Sequence, residues 1–187
     1  MITSLQVFIV VAITLDGFIA QDQHQASTNW TSQEDNQLFH RLTKEAGVVV
    51  MGETTYGTIP AKYLPMSDRL NIVYSHLSRE ELVEKFGIDS RKVTDNTLQV
   101  TSLPQKELVE KLGKEDHSKI AVCGGSSIYT QFLQSGVVSK LYITVEPIIF
   151  GDGVKLFNRA VEQKLELVKS ERLNEQGSLL MEYNCLQ

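Results

Sequence analysis

Strand-like runs rich in β-branched residues occur at Leu5–Thr14, Val48–Met51, Leu70–Tyr74, Leu98–Val100, Ile120–Cys123 and Leu141–Val145, with two further candidates at Lys164–Arg172 and Leu179–Cys185. Their continuous apolarity predicts strands covered on both faces. Between them the spacing is helical. Ser32–Ala46 starts on a capping serine, carries Leu38, Phe39 and Leu42 on one side and stops at Gly47. Further helices are expected at Ser78–Phe86, Gln105–Leu112 and Ser126–Gln134, the last entered through Gly124-Gly125 and left at Gly136. Strands alternating with helices, joined by right-handed crossovers, predict an α/β fold with a mostly parallel sheet. The last two runs, separated by Asn174-Glu175-Gln176-Gly177, predict an antiparallel hairpin at one edge.

Composition narrows the picture. A chain of 187 residues with 42% apolar and 22% charged residues is expected to form one soluble domain over 1–187. A domain of that size buries roughly 70% of its unfolded surface, so it needs neither disulfides nor metal clips. Net charge is −5 and the basic residues are scattered, which argues against a nucleic-acid partner. Cys123 and Cys185 lack the spacing of a disulfide framework or a zinc site, and two reduced thiols fit a cytoplasmic protein. In the apolar start the longest unbroken run is Val7 to Ile13, read as a buried strand rather than a signal peptide or a membrane span. His24, His40, His76 and His117 stand far apart with no metal-ligand spacing, so no metal is expected.

Three places could carry chemistry. Ile120–Tyr129 reads as a buried strand, the glycine pair, then a helix start bearing Ser126 and Ser127; free N–H groups at such a start attract anions, although a Gly-Gly pair also serves as a plain turn. Val48–Tyr56 repeats the form, with Gly52, Glu53, Thr54 and Thr55 at the turn, where capping alone would explain both threonines. Two such turns at the carboxyl ends of neighbouring parallel strands make a nucleotide-type crevice. The third place is Trp30 followed by Glu34 and Asp35. These acids complement the helix dipole from solvent in one reading. In the other, Asp35 shares a face with Phe39, and a carboxyl held against apolar surface becomes a proton donor near neutral pH. No GxSxG elbow or Walker A motif occurs, which leaves hydrolase and kinase readings without support.

The ordered set Leu15-Asp16-Gly17-Phe18-Ile19-Ala20, Trp30 with Asp35, Met51-Gly52-x-Thr54-Thr55-Tyr56, Gly124-Gly125 and Leu141-Tyr-Ile-Thr144 resembles the dihydrofolate reductase superfamily from about Ile2 to Asn184. The resemblance implies a three-layer α/β/α fold and hydride transfer from NADPH or NADH to a small heterocycle, a pteridine or a related pyrimidine. It implies Asp35 as the catalytic carboxylate, with Ala12, Trp30, Phe39, Arg69 and Thr144 on the substrate side. Arg69 falls where folate reductases hold the substrate's glutamate tail, and Thr144 where a threonine hydrogen-bonds the carboxylate. On the cofactor side it implies Ile19 in the mobile loop, Gly52, Thr54, Thr55 and Ser75, then Gly124, Gly125, Ser126, Ser127, Ile128 and Tyr129.

Two branches compete. Leu-Asp-Gly-x-Ile-Ala and Pro147–Phe157 are similar to the riboflavin-biosynthesis reductase of 5-amino-6-(5-phosphoribosylamino)uracil, whereas Trp30, Asp35 and Phe39 are similar to true dihydrofolate reductases. Gln37 stands about where the former place an arginine for the substrate phosphate, and Arg41 lies one turn on. Glu53 replaces the arginine that pairs with the 2′-phosphate of NADPH, and Ser127 another basic residue. A carboxylate at that point is expected to repel the phosphate and favour NADH. A nucleotide-binding module that has lost turnover is the alternative of a different class. Related reductases often dimerise, so a homodimer through an edge strand or Pro147–Phe157 is a further expectation.

Overall fold

The computed structural model describes residues 5–186. Ile2, where the resemblance begins, and the ends of the expected 1–187 domain lie outside the described residues. The elements in chain order are β1 (Gln6–Thr14), β2 (Phe18–Ala20), α1 (Gln33–Ala46), β3 (Val48–Gly52), α2 (Glu53–Gly57), β4 (Leu70–Tyr74), α3 (Arg79–Phe86), β5 (Leu98–Thr101), α4 (Gln105–Lys114), β6 (Lys119–Gly124), α5 (Ser126–Gln134), β7 (Lys140–Glu146), β8 (Val154–Lys155), β9 (Leu165–Arg172) and β10 (Leu179–Cys185). One sheet runs β5-β4-β3-β6-β1-β7-β10-β9. Its pairs from β5 to β7 are parallel, and β10 is antiparallel to both β7 and β9.

Alternating side chains of the central strands feed two cores. Val7, Ile9, Val11, Val50 and Val122 face Leu108 and Leu112 of α4 and Phe132 of α5. Phe8, Val10, Val49, Met51 and Ala121 face Leu38 and Leu42 of α1 and Leu82 of α3. Helices on both faces complete three layers, as a parallel sheet requires. No helix among the described residues is long and apolar enough to cross a membrane.

Helix ends follow their local chemistry. The Ser32 hydroxyl accepts from the Asp35 N–H, and Gly47 closes α1 in the left-handed conformation at φ 72°. Lys164–Arg172 lies in the edge hairpin as expected, but its strand, β9, is exposed along its whole length rather than covered on both faces, because no helix crosses it. The pair β2–β8 was not expected; these strands are too short for periodicity to register. They pair antiparallel, Phe18 with Lys155 and Ala20 with Val154. Gly153 passes so close to this ribbon that a Cβ there would stand 2.3 Å from the Ala20 carbonyl oxygen.

Candidate active site

A cleft of about 2080 Å³ opens across the carboxyl ends of β1, β3 and β6. A site for one small molecule occupies roughly 300–1,000 Å³, so this one has room for two partners. Ala12, Ile19, Asp35, Phe39, Gly52, Glu53, Thr54, Thr55, Arg69, Ser75, Gly124, Gly125, Ser126, Ser127, Ile128 and Tyr129 all line it. The polar loop 21–29 forms part of its wall through Asp22, Gln25 and Ser27.

Asp35 sits in the first turn of α1, and its side chain is turned inward: the residue is 8% exposed. Burial pushes its carboxyl up to about 6; the neighbouring Thr144 hydroxyl favours the charged form, and the negative charge of Glu146 opposes it. The solvent-facing alternative therefore fails for Asp35. Glu34 does stay at the surface, accepting from the Asn174 side-chain amide at 3.1 Å, which lowers its pKa.

Thr144 does not line the cleft. It is 1% exposed and stands behind Asp35, in register with Ala12 of β1 and Leu180 of β10. Trp30, expected on the substrate side, is not among the residues that line the cleft; it packs edge-to-face on Phe150 of the 147–153 loop at 5.2 Å. That loop is fixed by Asp16, whose carboxylate accepts from the Gly151 N–H at 2.7 Å, the Phe150 N–H at 3.2 Å and the Thr14 hydroxyl at 2.6 Å.

At one end of the cleft, Arg69 is 7% exposed, neither an ordinary surface arginine nor part of an ion pair. Its Nε donates to the Ser67 carbonyl at 2.9 Å and its Nη1 to the Thr43 hydroxyl. Among the described residues no carboxylate lies within salt-bridge distance of it. Arg41 and Lys44 line the same end, so it is electropositive, and burial, together with the charges of Arg69 and Lys44, lowers the pKa of His40. Arg41 pairs loosely with Glu45 at 3.4 Å, and Lys44 with Asp68 at 2.9 Å.

Across the cleft, β6 ends at Gly124 (φ 120°), where a Cβ would press the Tyr129 hydroxyl at 3.1 Å. A Cβ on Gly125 would meet the Thr55 hydroxyl at 2.8 Å. Glycine at both positions lets the two strand-to-helix turns close on each other. Gly125 starts α5 without a side-chain cap, and the buried Ser126 hydroxyl has no hydrogen-bond partner. An anion at this uncapped helix start would satisfy both, so the residues present fit the diphosphate of a dinucleotide. The Tyr129 hydroxyl is already committed, donating to the Val10 carbonyl at 3.1 Å.

Glu53 is not the bare charge expected. Lys85 of α3 meets it at 2.6 Å and the Ser75 hydroxyl donates to its other oxygen. Both hold its pKa below the usual carboxylate range, the Lys85 hydrogen bond most. Glu146, Lys85 and Asn174 escaped the sequence reading. A glutamate two residues beyond Thr144 in a strand is the one signal that pointed to any of them.

Residues 6–179 match the RibD C-terminal domain family. The chain is 30% identical over 104 residues to a bifunctional dihydrofolate reductase-thymidylate synthase from Plasmodium vinckei, covering 55% of this chain and 52% of that one. Thus it spans about half the length of that relative. To a dihydrofolate reductase from Heliothis virescens it is 29% identical, over 77% of this chain and 76% of the other. Its fold is shared with the solved diaminohydroxyphosphoribosylaminopyrimidine deaminase/5-amino-6-(5-phosphoribosylamino)uracil reductase from Thermotoga maritima, with a TM-score of 0.71, 17% identity, and coverage of 98% of this chain and 57% of that one. The chain belongs to the RibD C-terminal domain family and is similar in sequence to dihydrofolate reductases.

Proposed function

We propose that the chain is an NAD(P)H-dependent reductase that adds a hydride to the carbon and a proton to the nitrogen of a C=N bond, either the ring C=N of a pteridine or the imine that a ribosylaminopyrimidine forms when its sugar ring opens, in a substrate carrying an anionic tail. The observation that carries this reading is Asp35: a buried carboxyl at the wall of a two-partner cleft, with a pKa pushed up to about 6. A bound nicotinamide supplies the hydride. Asp35, in its acid form, holds the proton that the nitrogen must gain, and as a carboxylate it orients the ring by hydrogen bonding. Phe39 packs on the heterocycle and Ala12 floors the site, which fixes approach and excludes water. Gly124, Gly125, Ser126 and Ser127 hold the diphosphate, with Thr54 and Thr55 opposite; Ile19 and Ile128 enclose the nicotinamide end.

The buried, carboxylate-free Arg69 takes the substrate's anion, and a phosphate or a carboxylate satisfies it equally. The two branches therefore separate by turnover. The pure protein is given a reduced dinucleotide with either dihydrofolate or 5-amino-6-(5-phosphoribosylamino)uracil, and oxidation of the dinucleotide is followed. Reduction of either supports the reading; dinucleotide binding with neither reduced favours the non-catalytic module.

Cofactor preference follows from the Glu53–Lys85 pair. A 2′-phosphate would have to compete with Glu53 for Lys85, whereas ribose hydroxyls can donate to Glu53, so NADH is expected to bind at least as tightly as NADPH. Glu53→Gln frees Lys85 and should tighten NADPH binding by roughly tenfold with little change for NADH. Parallel fluorescence titrations check this; a tight NADPH preference in the unaltered protein contradicts it.

A further inference from the structure

Glu146 ends β7 with its side chain inside the protein, 4% exposed. One carboxylate oxygen accepts from the Ser32 N–H at 2.8 Å and the Ser32 hydroxyl at 2.7 Å; the other accepts from the Ser178 hydroxyl. Because the Ser32 hydroxyl donates to Glu146, its lone pairs remain to accept the Asp35 N–H at 3.2 Å. Ser178 in turn receives the Asn174 amide at 2.9 Å, and the Asn174 carbonyl oxygen accepts from the N–H groups of Gly177 and Ser178, each at 3.0 Å. A chain of hydrogen bonds thus runs from the C-terminal hairpin turn through Glu146 to the first turn of α1.

No cation takes part in it. A buried carboxylate compensated by three donors alone is an expensive way to join a strand to a helix cap, since an apolar contact of similar volume would hold them at least as well. What the charge adds is its field at Asp35.

We infer that Glu146 is a positioning residue for the reaction: it fixes the helix turn that presents Asp35 and, as a second buried negative charge, keeps the proton on Asp35. The inference rests on the role assigned to Asp35 above. The groups around Asp35 leave Glu146 as the charge that matters. β1 and β3 carry no titratable side chain. β6 offers Cys123, a thiol pushed up to about 12 by burial, and α5 offers Tyr129, a phenol whose pKa burial raises well above its usual value; both are neutral. On α1 itself, Glu34 is turned to Asn174 at the surface.

The test reads Asp35 directly, without turnover. The Asp35 side-chain carboxyl is followed by ¹³C NMR across a pH titration, its resonance assigned by loss in Asp35→Asn. In Glu146→Gln the midpoint should move to lower pH by about half a unit. Where the enzyme turns over, kcat at pH 8 should fall by about threefold with KM little changed. Glu146→Met, an apolar replacement of similar volume, should give the same shift and serves if the glutamine variant does not fold; Glu146→Asp, which restores the charge, should recover most of it. A midpoint that stays put or rises while only thermal stability changes would overturn the inference. A shifted midpoint in a protein that reduces neither heterocycle would keep the electrostatic coupling of Glu146 to Asp35 and remove the reductase reading on which its catalytic meaning rests.

Discussion

Asp35→Asn lowers turnover by roughly 10²–10⁴-fold, the usual contribution of a positioned acid or base, and makes the folded protein more stable above pH 6. The second effect has a definite sign. Burial raises the folded carboxyl from an ordinary 3.8 to about 6, so the native state binds a proton more tightly than the unfolded chain does. The stabilisation from this protonated group is complete below the unfolded value and is lost as pH rises through about 6. At pH 8 the native state carries a buried charge worth about 3 kcal/mol of lost stability. A neutral asparagine of the same shape removes that loss at pH 8 and changes little below about pH 4. Thermal melts at both pH values check the stability claim. Steady-state rates check the other: in the unaltered enzyme turnover falls about tenfold per pH unit above the Asp35 pKa, and in the variant the profile is low and flat. Loss of activity without the stability gain would mean that Asp35 is not buried in the protonated form.

Arg69→Met is the second large effect. The guanidinium is nearly buried and meets neutral oxygens from Ser67 and Thr43 rather than a carboxylate. Its desolvation is thus left to be offset by a ligand, and burial accordingly lowers its pKa. Replacing it with methionine removes the charge while filling much of the volume. KM for a substrate bearing a phosphate or carboxylate should rise by roughly 10²-fold with kcat little changed, because the anionic tail takes no part in the bond change and is bound equally in ground and transition states. The same heterocycle without its anionic tail should show no such rise. If both substrates lose equally, Arg69 serves the shape of the site rather than the tail.

Much of this arrangement is legible in the chain itself. Each central strand has its own apolar run, and each helix its own start and stop, Ser32 and Gly47 for α1 among them. Both strand-to-helix turns and the shared face of Asp35 and Phe39 follow from short-range spacing. What escaped depends on partners remote in sequence. Trp30 packs on Phe150, a partner more than a hundred residues away in the chain. The charge of Glu53 looks unopposed until α3 brings Lys85 beside it. The hairpin turn placed β9 at the edge, but nothing in its run of residues shows that both its faces stay open to solvent. Nothing in the chain near Glu146 shows what holds it inside; Ser32 and Ser178, contributed by two other parts of the fold, receive its carboxylate.

The central claim is that hydride crosses the cleft to a heterocycle held against Asp35. The most direct test is isotope transfer: the protein is incubated with dinucleotide deuterated at the reactive nicotinamide carbon and with each heterocycle in turn, and the products are analysed by mass spectrometry. The account predicts one deuterium on the reduced carbon of the product, strongly diminished in Asp35→Asn while dinucleotide binding persists. A reduced product formed without deuterium, or deuterium transfer undiminished in Asp35→Asn, would contradict it.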